Sequence, residues 1–307
     1  MKKRYLLITL LLIATNSAFA WDATGHIIVA QIAYNNLTPT AKADVNYLIG
    51  NTNFASNFPQ FTPYVYSAPW PDYLKYSINP PAGKTMEIFN FLKTETEHWH
   101  YDNQAYVIGN YQPQPLTPNN SVWAINYLVS DLKRLIKSKN YSQAAYALVF
   151  MTHIVGDLHQ PLHNSDMYDS FFPNGDLGGN YYTIQTIYGN SELHSLWDES
   201  LGRFNDWPNY SPDAGYRPPL ANVQATAQQF QNLCGSVTDQ NPADWHHESY
   251  LLVVDYVYPF NNPLAPLVNG TVSSQYIMQN RQIAAAQMCL AGKRLASVLN
   301  SLFKNPI

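Results

Sequence analysis

Hydrophobic positions return at three- and four-residue intervals over five stretches of the chain, the period of helices with one buried face. The spacing predicts helices over about 23–36, over 39–49 stopped by Gly50, over 121–138 with Asn120 as its cap, over 142–159, and over 272–303. In the last, Ile277, Ile283, Ala286, Leu290, Leu295 and Leu299 keep helical spacing. Strand-like alternation is confined to Tyr181–Tyr188, after Gly178-Gly179, and predicts one small hairpin. The stretches 51–85, 103–119 and 205–221 are rich in Pro, Asn, Ser and aromatic residues and are expected to be long surface loops. Nothing resembles an interdomain linker, so the expected fold class is mainly α, in a single domain.

The N-terminus departs from this pattern. Lys2, Lys3 and Arg4 precede an apolar run from Tyr5 to Ala14, and Ala18-Phe19-Ala20 supplies small residues at a cleavage point. Residues 1–20 read as a signal peptide whose apolar run is too short to span a bilayer. Residues 21–307 are then the exported domain, secreted or periplasmic. The leader holds three of the 17 basic residues and none of the 21 acidic ones, so the chain from Trp21 onward carries a formal charge of −7. Only 12% of residues are charged, about half the roughly 25% of ordinary soluble domains.

That composition excludes a clamp with a broad basic face. The apolar stretches near 143–155 and 250–260 are interrupted by polar residues, which argues against stable membrane insertion. Cys234 and Cys289 fit either a disulfide formed in an oxidising compartment or two buried thiols.

Candidate chemistry lies in the spacing of histidines to aspartates. His153 and Asp157 are four apart on a predicted helix and share one face, the geometry two ligands need to meet one ion. Pro161 ends that helix and frees His163 to turn back or reach a neighbouring site. His194 and Asp198 repeat the spacing after the hairpin. Imidazole and carboxylate without thiolate favour zinc, with Mn and Fe as alternatives. Cleavage after Ala20 would leave Trp21 first, with an α-amino group of pKa near 8 that a cation can deprotonate while the same residue's carbonyl closes a chelate. His26, on the first helical turn, is placed to complete that site.

Taken together, Trp21-x4-His26, Trp70-Pro71-Asp72, Trp99-His100-Tyr101, His153-x3-Asp157-x5-His163, Gly178-Gly179-Asn180 and His194-x3-Asp198 resemble the S1/P1 nucleases in order and spacing. The resemblance covers nearly all of the chain after the leader. It implies a helical phospholipase C/P1 nuclease-like fold with a small β-hairpin and a cleft holding three Zn²⁺. Asp72, His100, His153 and Asp157 would hold one ion. Trp21, His26 and the shared Asp157 would hold the second, and His163, His194 and Asp198 the third.

The implied activity is hydrolysis of single-stranded DNA, RNA and 3′-nucleotides to 5′-phosphorylated products by a monomer, with water as nucleophile and Asp72 orienting it. Lys75 stands where the family commonly has Arg, which keeps the charge and loses a bidentate grip on phosphate. Tyr101 stands where fungal members stack a base on Phe, and the acidic base-reader maps to Asp102 or Asn103. The family's usual paired cysteines do not match Cys234 and Cys289.

A zinc phospholipase C shares the three-metal design and the leading Trp. The short Trp21-x4-His26 spacing and Asp198, where those lipases have Glu, argue against it. A periplasmic zinc-binding protein without catalysis would need only the ligands. His98, His159 and the pair His246-His247 are expected at the surface or behind the ligands, and Trp245 and Tyr250 in the core.

Overall fold

A computed structural model describes residues 21–76, 94–208 and 210–307. The expected leader lies outside the described residues. Eleven α-helices appear among the described residues: α1 Ala23–Asn36, α2 Pro39–Gly50, α3 Asn53–Asn57, α4 Tyr64–Ser67, α5 Trp70–Tyr76, α6 Ser121–Lys137, α7 Tyr141–Leu158, α8 Leu193–Asp198, α9 Leu220–Phe230, α10 Pro242–Leu252 and α11 Ser274–Leu302. The fold is mainly α in one domain, as the apolar spacing predicts. No described helix is long and apolar enough to cross a membrane.

The central element is α1. Every residue from Thr24 to Ala33 is buried, as expected of a helix enclosed on all sides rather than lying at the surface. Helix α11 runs along it, and α4, α7 and α9 close the remaining sides. Its first turn is capped by the Asp22 carboxylate, which accepts from the Gly25 amide at 2.7 Å. Helices α6 and α7 form a hairpin joined by three residues, and Asn120 caps α6 by accepting from the Trp123 amide.

Helix α11 fulfils the predicted range with a different face. Its buried side runs through Tyr276, Asn280, Ala284, Met288, Ala291, Leu295 and Leu299, whereas Ile277, Ile283, Ala286 and Leu290 are half-buried. Polar Asn280 and Arg294 sit on the inner face, which hid its position from an apolar-only reading.

The expectation of a surface loop over 51–85 is overturned for its described part. That part holds α3, α4 and α5, and Phe54, Phe58, Phe61, Tyr64 and Trp70 are all buried. Phe58 and Phe54 pack edge-on against Trp70 at centroid distances of 5.0 and 5.7 Å. The prolines there stand at helix starts, where a missing N–H costs nothing, so they position helices rather than exclude them. Residues 77–85 lie outside the described residues.

The loop expected over 103–119 contains β1 Gln104–Val107, which pairs in parallel with β2 Ser165–Tyr168. Every residue of β2 is buried, so there is no alternation to detect. The predicted hairpin is present but shifted: β3 Thr183–Thr186 pairs antiparallel with β4 Gly189–Glu192, and the second strand is too polar to show a strand pattern. The 205–221 stretch stays largely irregular among its described residues, with one short turn at Pro212–Ala214. Helix α9, with three Gln and one Asn, and helix α10, with Asp244, His246, His247 and Glu248, were not apparent from apolar spacing. Cys234 and Cys289 form a disulfide, which ties the segment after α9 to α11 and resolves the pairing left open above.

Candidate metal centre

Four stretches of chain converge on the lower end of α7. Its last turns carry His153 and Asp157, fully buried, with Gly156 between them. A Cβ at Gly156 would lie 2.8 Å from Nδ1 of His26, so only glycine lets α1 bring that imidazole against α7. The His26 and His153 rings stack with centroids 3.9 Å apart. Helix α5 supplies Asp72, and the short turn Glu97–His100 supplies His100.

The side chains of these residues form one cluster. Nε2 of His153 lies 3.1 Å from Nδ1 of His100, 3.3 Å from Oδ2 of Asp157 and 3.5 Å from Oδ1 of Asp72. Nδ1 of His100 lies 3.0 Å from Oδ2 of Asp157, and Nε2 of His26 lies 3.2 Å from Oδ1 of the same carboxylate. Asp157 therefore presents one oxygen to His100 and His153 and the other to His26. Trp21 is fully buried beside Gly25, with its indole reaching toward Gly156.

A second cluster consists of His163, His194 and Asp198. Nδ1 of His163 donates to the His100 carbonyl at 2.6 Å, and Nδ1 of His194 donates to the Gly178 carbonyl at 2.5 Å. A carbonyl can only accept, so both Nδ1 atoms carry the proton and both Nε2 atoms present lone pairs. Those two acceptors lie 3.1 Å apart and face Asp198, whose nearer oxygen is 3.3 Å from Nε2 of His194. Gly178 makes this possible: its φ is +62° and a Cβ would lie 2.5 Å from the Leu162 carbonyl. Gln160 holds the other Asp198 oxygen at 2.6 Å, and the Asp22 amide donates to the Asp198 carbonyl at 2.8 Å.

The donor set fits cations. His153 is held in the same way, donating Nδ1–H to the Ala68 carbonyl at 2.9 Å and turning its Nε2 inward. Both His26 ring nitrogens, Oδ1 of Asp72, Oδ1 of Asp157 and Oδ2 of Asp198 are buried without a hydrogen-bond partner. The 3.2 Å approach of His26 to Asp157 is close without having hydrogen-bond geometry. Each such atom would cost about 1–3 kcal/mol if left unmatched. Ligand atoms of His26, Asp72 and His153, of His100, His153 and Asp157, and of His163, His194 and Asp198 come within 4.8 Å of one another.

Electrostatics agree with the geometry. Burial alone would raise the Asp157 carboxyl, but the His153 charge and the imidazoles gathered around it, His100 closest, hold it well below the ordinary value. Burial likewise acts to raise Asp72, and His153 and His100 bring it down to about 2. Burial opposes charge on His153, yet Asp157 and Asp72 raise it to about 10. Without a cation, then, the two carboxylates draw a proton onto this imidazole. His100 moves the other way, to about 4, through burial resisted by its Asp157 bond and reinforced by the charge of Lys75.

Lys75 lies one turn after Asp72 on α5, and its charge also depresses His163 and His194, whose main downward cause is burial. Its charge is therefore felt in both clusters.

The remaining candidates separate clearly. Tyr101 is half-buried and its hydroxyl bonds Nδ1 of His98 at 2.7 Å. Asp102 is buried and turned inward, bonded by the Asn120 side chain and 3.9 Å from Nε2 of His246. Asn103 is half-buried. His159 is fully buried, donating to the Val155 carbonyl and accepting from Arg294 at 2.9 Å, so it stands behind the ligands and not at the surface. His247 is exposed, Trp245 is buried in the core, and Tyr250 is half-buried with its hydroxyl on the Ala105 carbonyl. Gln160 and the Ala68, His100 and Gly178 carbonyls carried no signal in spacing, because they act on ligands and not on an ion.

The family model described as S1/P1 Nuclease matches residues 21–304. The chain is 27% identical to "Nuclease S1" of Aspergillus oryzae over 307 residues, covering 94% of this chain and 93% of that protein. It is 24% identical to "Nuclease P1" of Penicillium citrinum over 300 residues, covering 94% and 99%. With "Endonuclease 4" of Arabidopsis thaliana it shares 23% identity over 321 residues, covering 94% and 91%.

Proposed function

The chain belongs to the S1/P1 nuclease family, and we propose that it is an exported zinc-dependent phosphoesterase. It acts as a monomer on single-stranded DNA, RNA and 3′-nucleotides and releases 5′-phosphorylated products. The observation that carries this reading is the set of five buried polar atoms without partners on His26, Asp72, Asp157 and Asp198, beside three imidazoles, His153, His163 and His194, whose Nδ1 atoms are already fixed by carbonyls. Asp72, His100, His153 and Asp157 would hold one Zn²⁺, Trp21 with His26 and Asp157 a second, and His163, His194 and Asp198 a third. Zinc bound there supplies Lewis acidity, making water nucleophilic at neutral pH and offsetting the charge of a phosphate.

The chain's own residues do the rest. Asp72, held ionised by the neighbouring imidazoles, is the group that orients water. Lys75, whose charge acts on both clusters, offers that charge to the phosphate as a point contact. Tyr101 gives an aromatic face for an unstacked base, and of the two candidate base-readers Asn103 is favoured, since Asp102 is buried and bonded to Asn120. An amide donates and accepts, so Asn103 supports a loose base preference. Trp21 contributes an amine only once residues 1–20 are removed, which couples activity to export.

The test uses protein beginning at Trp21. Metal analysis is run beside a panel of single-stranded DNA, RNA, duplex DNA, a 3′-mononucleotide and phosphatidylcholine. Three zinc ions with faster cleavage of both single strands than of duplex supports the proposal. Hydrolysis of the lipid alone would replace it with a phospholipase, and full zinc occupancy with no turnover would replace it with a zinc-binding protein.

A further inference from the structure

Helix α6 carries an exposed stripe that the metal centre does not use. Trp123, Tyr127, Ser130, Arg134 and Lys137 follow one another at intervals of four, three, four and three residues and are all exposed. Ser121, Ala124, Ile125, Leu128, Leu132 and Leu135 form the opposite, buried face. Two large aromatics on the solvent side of a helix are unexpected where the core is already supplied. The indole and phenol rings stack in parallel, 5.1 Å apart with an interplanar angle of 5°, at 39% and 44% exposure. Trp99 packs beneath them at centroid distances of 6.0 and 5.8 Å and is itself braced by Phe150 at 5.4 Å. The pair is therefore a supported platform.

This platform is continuous with the metal centre. Trp99 immediately precedes His100 in the same short turn, and the Ser121 amide at the start of α6 donates to the Tyr101 carbonyl at 3.1 Å. From Trp123 to Lys137 the stripe extends about 21 Å at 1.5 Å per residue. Beyond the aromatics the charge turns positive: Lys133, Arg134, Lys137 and Lys139 are exposed, with Asp131 bonded to Arg134 at 2.9 Å. These are four of the 14 basic residues in a chain that from Trp21 onward carries a formal −7. Cations in a last helical turn complement the helix dipole, but that role gives no reason for two stacked aromatics upstream on the same face.

We propose that the exposed face of α6 is a docking surface for single-stranded polynucleotide lying beyond the phosphate being cleaved. Trp123 and Tyr127 stack unpaired bases, and Lys133, Lys137 and Lys139 meet the backbone that follows. The inference rests on the reading of this protein as a nuclease, and it deepens that reading by giving long strands an advantage over mononucleotides. A duplex gains nothing from the platform, because its base faces are already stacked.

The experiment measures binding of a fluorescent phosphorothioate oligothymidylate of about 12 nucleotides, which resists hydrolysis, to the zinc-loaded chain beginning at Trp21. Trp123→Ala/Tyr127→Ala should weaken binding about tenfold. Lys133→Glu/Lys137→Glu, two surface changes that leave the core untouched, should weaken it similarly and flatten the dependence on salt by about 1.4 in log–log slope or more. Turnover of a 3′-mononucleotide, which is too short to reach α6, should stay within twofold in both variants and reports an intact cleft. Unchanged oligonucleotide affinity in both variants would overturn the proposal, as would equal affinity of the parent protein for a duplex of the same length. Absence of turnover on every nucleotide would remove the nuclease reading, and the binding comparison still decides the docking surface.

Discussion

The cluster around His153 sets two carboxylates among three imidazoles, whereas the cluster around His194 sets one carboxylate between two. Both are buried, so neither can call on water to balance its charge. They resolve the problem differently. In the first, His153 is raised to about 10 and Asp72 falls to about 2, so a proton occupies the place where positive charge is needed. In the second, burial drives the Asp198 carboxyl well above its ordinary value, and the two imidazoles stay neutral through burial. The first is a charged unit held together by Asp157. The second is a neutral pocket whose two Nε2 lone pairs repel one another until a cation enters. Two ions would thus share one carboxylate on one side, and a separate ion would sit on the other, linked to the first site by the His163 bond to the His100 carbonyl and by the Asp22 amide on the Asp198 carbonyl.

The largest effect expected from that contrast is at Asp157. Asp157→Asn keeps the shape and removes the shared charge, so turnover should fall by orders of magnitude in a steady-state assay. His163→Ala assayed with excess zinc should fall less, and the reverse ranking would break the comparison. Next comes the terminus. A chain beginning Met-Trp21 lacks the amine at the right place, so one ion beside Asp157 should bind more than about 100-fold more weakly, beyond the ~10–100-fold cost of losing a group that merely supports a ligand. Equal zinc affinity and turnover in the two chains would remove Trp21 from the site.

Gln160→Leu acts on the neutral pocket alone. Losing the 2.6 Å bond to Asp198 should cost about 10–100-fold in affinity for the ion held there. Activity should return with added zinc, with the His153 cluster unaffected in competitive chelation. The smallest effect concerns pH. In the metal-free protein His153 is protonated through neutrality because its value is about 10, and Asp198 is shifted in the same direction. Zinc must displace a proton in each cluster, so raising the pH from about 6 to about 8 should tighten zinc in both. Calorimetry in buffers of different ionisation enthalpy should register net proton release, and proton-neutral uptake would contradict the assigned protonation states.

Four of the nine ligand candidates were legible in the sequence because two pairs use the i,i+4 spacing of a helix, a geometry that survives translation from letters to space. His153 with Asp157 on α7 and His194 with Asp198 on α8 are those pairs. Asp72 and His100 were legible only through resemblance, since each reaches the site by a tertiary contact without local period, whereas Trp21 was marked by the cleavage point that would make it the first residue. The fold divides similarly. Long helices with apolar stripes were found, but the aromatic segment from Phe54 to Trp70 was taken for surface because prolines that start helices look like prolines that end them. Strand β2 escaped because Ser-Asp-Met-Tyr buried on both faces has no alternation. Asp102 is the same lesson in one residue: its sequence position resembled a base-reader, and its contacts with Asn120 and His246 direct it inward.

The central claim is that Asp157 joins two ions while the His194 pocket stands apart. It is tested most directly by zinc stoichiometry of the parent chain, Asp157→Asn and His194→Ala, each beginning at Trp21 and dialysed against the same buffered zinc. The account predicts three ions for the parent, one for Asp157→Asn and two for His194→Ala. Two ions retained by Asp157→Asn would mean that no carboxylate is shared, and would contradict it.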